Sequence, residues 1–194
     1  MTRNAHIERK TRETSINLQL DLDSTLDDAT IETPIGFFTH MLEAFARHSG
    51  FSVSIRVAGD THVDDHHSVE DTGICLGQCL SKAIADKNQI ARFGSALIPM
   101  DDALVEVAVD FCGRSAFIIN GYSITGKVGS FDAELVPEFF QALSQSAAMN
   151  LHINVRYGNN KHHIIEAIFK AFAHACRQAL TRNREGILST KGVL

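Results

Sequence analysis

The sequence predicts a layered α+β fold of two similar halves, in which helices pack between or upon two mixed β-sheets. One observation is a repeated motif, because His-His-x-x-Glu occurs at residues 66–70 and again at 162–166 of a 194-residue chain. The other is a repeated order of hydrophobic patterns, which predicts three strands, a helix, a strand and a helix in each half. Sheets and helices of this kind each have one apolar side, so they are expected to pack against each other.

The first half contains both strand and helix patterns. Alternating apolar and polar residues predict half-buried strands, and Pro34 stops one of them. Phe37, Phe38 and Met41 belong to a run at helical spacing that ends at Ser49-Gly50. The predicted elements are strands at 16–22, 29–33 and 51–57, a helix from Gly36 to about His48, and a second helix that carries the first motif.

The second half repeats this order of elements. No linker rich in Gly, Pro or Ser divides the chain, so we expect one integrated domain. The predicted elements are strands at about 95–99, 103–111, 115–120 and 151–155, a helix at about 134–148, and the helix of the second motif. The expected divisions are a first repeat half at 1–90, a second at 91–180 and a C-terminal tail at 181–194.

Composition excludes several classes of protein. An apolar content of 44% with 21% charged residues is typical of a globular protein. The net charge of −5, the absence of Trp and the presence of only two Tyr disfavour nucleic-acid binding. No apolar stretch resembles a signal peptide or a membrane span, so we expect a cytoplasmic protein. The cysteines lack the spacing of a disulfide framework and are expected to be reduced core residues: Cys75, Cys79, Cys112 and Cys176.

The repeated motif predicts a duplicated metal site. Adjacent residues of a helix diverge by about 100°, so one ion cannot take both histidines of a motif. The first His can reach one ion while the second His and the Glu reach another, which favours a dinuclear or paired arrangement. A single His-His pair is more often a solvated helix start or a partnered buried histidine, but its repetition favours the metal. Asp64, Asp65 and Asp71 flank the first motif, either as partners that orient the imidazoles or as helix-capping charges.

Three classes of metal-binding protein use such residues. A dinuclear-metal hydrolase acting on a phosphorylated small molecule is the main alternative, although such sites usually rely on bridging carboxylates. Carboxylate di-iron bundles carry Glu-x-x-His, which is the reverse order, on all-helical chains. A metal store or sensor would give no reason for the Arg9-to-Thr14 segment or for the Ser-Thr-Lys-Gly end of the chain.

Six separated motifs occur along the chain: Arg9-Lys10-Thr11-Arg12-Glu13-Thr14, the Gly36-to-Leu42 helix start, Asp64-to-Asp71, Pro99-Met100-Asp101, His162-to-Glu166 and Ser189-Thr190-Lys191-Gly192. With these motifs in family order and at family spacing, the chain from about residue 3 to 193 resembles imidazoleglycerol-phosphate dehydratase of histidine biosynthesis. The resemblance implies a tandem repeat with a helical layer between two mixed β-sheets. It also implies two Mn²⁺ per active site and a homo-oligomer of 24 subunits built from trimers, with sites shared between subunits.

Carried over residue by residue, the resemblance makes Glu13 the catalytic carboxylate and His48 a substrate contact. The family pattern departs at Glu138, where some relatives have His, and an oxygen of Glu138 can still ligate a metal. It also departs at Ala44, where some relatives have Gln, so that substrate contact is expected to be absent. The implied metal ligands are His40, His66, His67, Glu70, His162, His163 and Glu166, and the implied phosphate ligands are Arg92, Arg114, Lys170, Ser189 and Lys191.

Without the resemblance, the residues assigned to phosphate would be interpreted as surface charges and a solvated basic tail.

The implied reaction explains why two metals are needed. The substrate of that family, imidazole glycerol phosphate, is a diol with no carbonyl group next to the departing proton. The imidazole ring must therefore supply the electrons that expel the hydroxyl. Two Lewis acids on the ring nitrogens lower the pKa of the ring N–H and make the ring a stronger donor. Glu13 is then expected to move a proton as the enol and ketone form.

Overall fold

The computed structural model describes residues 3–24, 30–182 and 186 of the chain. The first half contains β1 (Asn4–Lys10), β2 (Thr14–Asp21), β3 (Thr30–Glu32), α1 (Gly36–Ser49), β4 (Ser52–Gly59) and α2 (His66–Ile84). The second half contains β5 (Phe93–Met100), β6 (Ala103–Asp110), β7 (Ala116–Asn120), a short hairpin of β8 (Lys127–Val128) and β9 (Phe131–Asp132), α3 (Leu135–Ala147), β10 (Asn150–Tyr157) and α4 (Lys161–Ala179).

The two halves form sheets of the same topology. The first sheet has the order β1-β2-β4-β3 and the second has the order β5-β6-β10-β7. In each sheet the first three strands are antiparallel to their neighbours, and the last pair is parallel. The predicted α+β class, the two mixed sheets and the duplicated order of elements are therefore confirmed.

The helices fill the space between the sheets. α2 packs on the first sheet and on α3, whereas α4 packs on the second sheet and on α1. The α2–α3 contact is close because Gly73 and Gly77 expose backbone. An added Cβ would lie 2.5 Å from the carbonyl oxygen of Phe139 at Gly73, and 2.5 Å from that of Leu143 at Gly77. A helix of each half therefore packs against a helix of the other half, and the described part of the chain has one continuous core.

Two elements differ from the sequence expectation. β1 was not located by alternation, because its inward face carries Arg9 beside the apolar Ala5 and Ile7. The β8–β9 hairpin was not predicted, since strands of two residues show no periodicity. The other predicted strands and helices agree with the observed ones to within about two residues wherever both ends are described.

The cysteines behave as expected. All four are free and buried. Burial raises the pKa of Cys75 to about 11 and that of Cys79 to about 12, which keeps these thiols protonated at neutral pH. Among the described residues no helix combines the length and apolar character that crossing a membrane requires.

Candidate active site

The helices that carry the two motifs begin directly at those motifs. Asp64 accepts a hydrogen bond from the backbone N–H of His66 at 2.8 Å, and Asn160 accepts one from that of His162 at 2.9 Å. These side chains satisfy backbone donors that are left free in the first turn of a helix. Asp64 therefore caps the start of α2, which is one of the two roles expected for it from the sequence.

The start of α2 carries ligand-type side chains beside a cavity that α3 also lines. The residues before α1, the start of α2 and the start of α3 line one cavity of about 690 Å³. His66 Nε2 lies 3.8 Å from an oxygen of Glu70, one helical turn away. Glu138 of α3 lines the same cavity as His66. His66, Glu70 and Glu138 are called the first cluster below.

A second cluster is formed by His40, His162 and Glu166. Their ligand atoms all lie within 4.8 Å of one another, and this is the one group of three or more such residues found in the described part of the chain. One oxygen of Glu166 lies 3.0 Å from His162 Nε2 and 3.5 Å from His40 Nε2. The other oxygen lies 2.6 Å from Nζ of Lys170. Burial would raise the pKa of Glu166, but the ammonium group of Lys170 and the ring of His162 lower it, so this carboxylate stays charged.

The clusters correspond to each other through the duplication. In each motif the first His lies near the Glu. His40 of α1 lies within 4.8 Å of this pair in the second cluster, whereas Glu138 of α3 shares a cavity with His66 of the first. The structure places the first His of each motif against the Glu, and the expected sharing of one ion by the second His and the Glu stays a prediction. Residues three and four apart both neighbour each other on a helix, and here the spacing of four brings the first His onto the Glu.

The second histidine of each motif faces a different set of carboxylates. His67 Nδ1 lies 3.1 Å from Asp60, and its Nε2 lies 3.9 Å from Oε1 of Glu13. His163 Nδ1 lies 2.6 Å from Asp102. In both rings a carboxylate contacts Nδ1, which is the arrangement by which carboxylates orient metal-binding histidines, and Nε2 of His163 lies 3.4 Å from Asp101.

Asp60 and Asp102 were missed by the sequence reasoning. The hydrogen bond to Asp60 raises the pKa of His67. The hydrogen bond from His163 and the backbone N–H groups of Asn159 and Asn160 hold the pKa of Asp102 well below its usual range. Asp102 lies in the tight turn between β5 and β6, and Asp60 directly follows β4. The only signal in the sequence was the position of these acids where strands end.

The arginines assigned to phosphate lie far from both clusters. The backbone N–H of Arg92 donates to the carbonyl of Ala179 at the last turn of α4, 17 residues beyond His162, which is ~25 Å along a helix. The guanidinium of Arg92 binds Asp110 at 2.6 Å. Arg114 lies in the loop between β6 and β7 at this same end of the second sheet. Within one protomer these arginines do not meet the clusters.

The remaining predicted residues are distributed along the helical layer. Lys170 contacts the second cluster through Glu166. His48 lies two turns beyond His40 on α1, and its ring lies 5.4 Å from that of His174. Burial, together with the charges of Lys170 and His174, lowers the pKa of His48. Ala44 is buried, and its methyl side chain offers the site no polar group. Ser189 and Lys191 lie outside the described residues.

Comparisons with known proteins agree on one family. The family model of imidazoleglycerol-phosphate dehydratase matches residues 33–176. The imidazoleglycerol-phosphate dehydratase of Listeria monocytogenes is 52% identical over 188 residues, which cover 96% of each chain. That of Geobacillus kaustophilus is 49% identical over 196 aligned positions and covers 100% of both chains.

A solved structure gives the same answer for the fold. The crystal structure of imidazoleglycerol-phosphate dehydratase from Staphylococcus aureus superposes with a TM-score of 0.84 at 42% sequence identity, covering 93% of this chain and 99% of that one. The chain therefore belongs to the imidazoleglycerol-phosphate dehydratase family and is an enzyme.

Proposed function

We propose that this enzyme removes water from imidazole glycerol phosphate to give imidazole acetol phosphate in histidine biosynthesis, with two Mn²⁺ ions per active site. The observation that carries the proposal is the pair of corresponding clusters. Each contains the first His of one motif, the Glu one turn away and a candidate third ligand from the other half. As a biosynthetic enzyme, it is proposed to work in the cytoplasm.

The residues of the two clusters fit divalent metal ions. Imidazole nitrogens and carboxylate oxygens are ligands that Mn²⁺ and related ions accept. Glu166 is only 7% exposed and stays charged, with one oxygen paired to Lys170. Its other oxygen lies near His162 and His40, where it would be a third ligand for a divalent ion. One ion would be held by His66, Glu70 and Glu138, and the other by His40, His162 and Glu166. Ions held there would supply Lewis acidity that lowers the pKa of the N–H group of a substrate imidazole, and the imidazolate left after loss of that proton is a stronger electron donor than the neutral ring.

The second histidines are proposed to complete sites together with neighbouring subunits. His67 and His163 contact carboxylates that lie outside the clusters of their own protomer, so we propose them as ligands shared with another protomer. Asp60 and Asp102 contact Nδ1 of these rings and thereby leave Nε2 as the nitrogen for a metal. A set of three ligands from one protomer can thus gain a fourth from another.

The protein side chains divide the remaining work. Glu13 is proposed to carry a proton between carbon atoms of the substrate, because its carboxylate is 54% exposed beside His67. The forked guanidinium groups of Arg92 and Arg114 suit the phosphate, and Lys170 adds a point charge. His48 is proposed as a further substrate contact, and Ser189 and Lys191 as phosphate ligands from the C-terminal tail.

The distances within the protomer support the proposal of a homo-oligomer. Since Arg92 and Arg114 lie ~25 Å from the start of α4, a substrate at a cluster can reach such arginines only on another protomer. The outer faces of the two sheets support this. The second sheet exposes apolar residues, whereas the first exposes polar ones almost throughout. The exposed apolar residues of the second sheet include Phe93, Leu97, Ile118 and Tyr157. We propose the 24-subunit assembly that the family resemblance implies.

The test of the activity compares two reactions of the purified enzyme loaded with Mn²⁺. Imidazole glycerol phosphate should lose one molecule of water, detected by mass spectrometry of the product. Generic phosphate esters should release no inorganic phosphate. Phosphate release without dehydration would favour the dinuclear-metal hydrolase instead.

A second prediction tests the shared site. Assemblies of Arg114→Ala chains alone, or of Glu13→Gln chains alone, should be nearly inactive. Assemblies refolded from a mixture of the two should recover a measurable fraction of activity, because some sites then combine an intact Glu13 with an intact Arg114 from different chains. Failure of every mixing ratio to recover activity, although mass measurements show mixed assemblies, would contradict shared sites.

A further inference from the structure

The turn that presents Glu13 is held unusually firmly for an exposed hairpin end. Glu13 lies between β1 and β2, and its backbone is fixed on both sides. The N–H of Glu13 donates to Thr11 Oγ1 at 3.1 Å, and its carbonyl accepts from the N–H of Asp60 at 3.1 Å. Asp60 is also the carboxylate that contacts His67. The backbone of the proposed proton carrier is thereby tied to the loop that orients a proposed metal ligand.

Donor and acceptor chemistry determines the direction of each hydrogen bond in this turn. Thr14 Oγ1 lies 2.5 Å from Oδ2 of Asp71, and a carboxylate only accepts, so the hydroxyl of Thr14 donates. The oxygen of Thr14 is then left to accept from the hydroxyl of Thr11 at 3.2 Å. The two lone pairs of Thr11 Oγ1 accept the backbone N–H groups of Glu13 and Thr14. Every group in this chain of bonds has a partner in only this one arrangement.

The chain of bonds ends on a carboxylate that is anchored in the helical layer. Asp71 is only 6% exposed, and its Oδ1 accepts from Nε and a terminal nitrogen of Arg9 at 3.2 and 2.8 Å. Asp71 follows His67 by four residues, so both lie on the same face of α2. One turn of α2 therefore holds both the histidine and the anchor of the Glu13 turn.

We propose that Arg9, Thr14 and Asp71, called the turn clasp below, are positioning residues that set the place of the Glu13 carboxylate relative to His67. The clasp explains why the Arg-x-Thr-x-Glu-Thr segment contains two threonines and an arginine around its glutamate. None of these three side chains needs to touch the substrate for this role. The inference rests on the proposed role of Glu13 in proton transfer.

The test begins with Thr14→Val, which keeps the shape of the side chain and removes the hydroxyl. A small displacement of a reacting group costs up to about a hundredfold in rate, so kcat should fall by about ten- to a hundredfold. KM for imidazole glycerol phosphate and the metal content per chain should stay at the wild-type level. Thr14→Ser should restore kcat, because it restores the hydroxyl. Thr30→Val, on the exposed face of β3, serves as the matched control and should have wild-type kinetics.

A double-mutant cycle separates positioning from general damage. In the Glu13→Gln background, Thr14→Val should cause little further loss, since the carboxylate that it positions is already gone. Wild-type kcat in Thr14→Val, or an equal loss in both backgrounds, would overturn the turn clasp. Near-normal activity of Glu13→Gln alone would instead overturn the proposed function of Glu13. Should Thr14→Val not fold, Arg9→Lys, which keeps the charge but loses the fork, is measured in the same cycle against the same outcomes.

Discussion

Replacing Glu13 by Gln is expected to lower kcat by about 10²- to 10⁴-fold, the contribution that a positioned proton carrier typically makes. The amide keeps the shape and the hydrogen bonding of the side chain, but it cannot take up and release the proton. Glu13 is 54% exposed and its nearest charged partner is His67 at 3.9 Å, so the change should leave the fold intact. The measurement is steady-state turnover of imidazole glycerol phosphate.

Three further measurements on Glu13→Gln define what the loss means. The metal content per chain and the affinity for substrate should remain at wild-type level, so that a crystal of this variant can trap unreacted substrate. Glu8→Gln, on the outer face of β1, is the matched control and should have wild-type activity. Loss of metal in Glu13→Gln would make Glu13 a ligand, and near-normal kcat would make it a surface carboxylate.

Replacing His162 by Ala is expected to remove one of the two ions per chain and to reduce activity by more than a hundredfold. His162 lies 3.0 Å from Glu166 and belongs to the one group of three or more ligand-type residues found in the described structure. Replacing even an outer partner of a metal ligand typically costs ten- to a hundredfold, and removal of a ligand should cost more. Elemental analysis and turnover are measured on the same preparation.

The control for His162→Ala is His6→Ala, because His6 lies on the polar outer face of the first sheet and bonds only exposed neighbours. It should keep both ions and full activity. Retention of two ions per chain by His162→Ala would mean that the second cluster does not hold a metal.

The duplicated fold could be predicted because each half carries the same signals at nearly the same spacing. The alternation of strands such as β6 and the helical spacing of α1 depend on local sequence alone. β1 could not be located in this way, because its inward face includes Arg9. That residue faces inward only because Asp71 of α2 lies opposite, 62 positions away in sequence.

The site could be predicted in its residue types but not in its grouping. The repeated motif identified His66, Glu70, His162 and Glu166, but spacings of three and four are both compatible with contact on a helix. Which histidine meets the Glu depends on tertiary contacts, such as the turn that brings Asp102 onto His163 from 61 residues away. The distance between Arg92 and the clusters likewise depends on the register of α4 against β5.

Glu138 illustrates how the duplication adds information that a single motif lacks. From the sequence it was a departure from the family pattern. In the structure it occupies on α3 the place that His40 occupies on α1, opposite the first motif instead of the second. The correspondence supports Glu138 as a ligand, and it predicts that the first cluster is richer in oxygen than the second.

The dependence of dehydration on two metal ions is tested most directly by following metal content and turnover of imidazole glycerol phosphate together. Both are measured in the native enzyme, after exhaustive chelation and after return of Mn²⁺. We expect about two ions per chain in the active enzyme, loss of activity with loss of metal, and recovery of both on adding Mn²⁺. Particle mass in the same samples should fall as metal is removed, because ions held between subunits contribute to assembly. Full dehydratase activity in protein that elemental analysis shows to be free of metal would contradict the account.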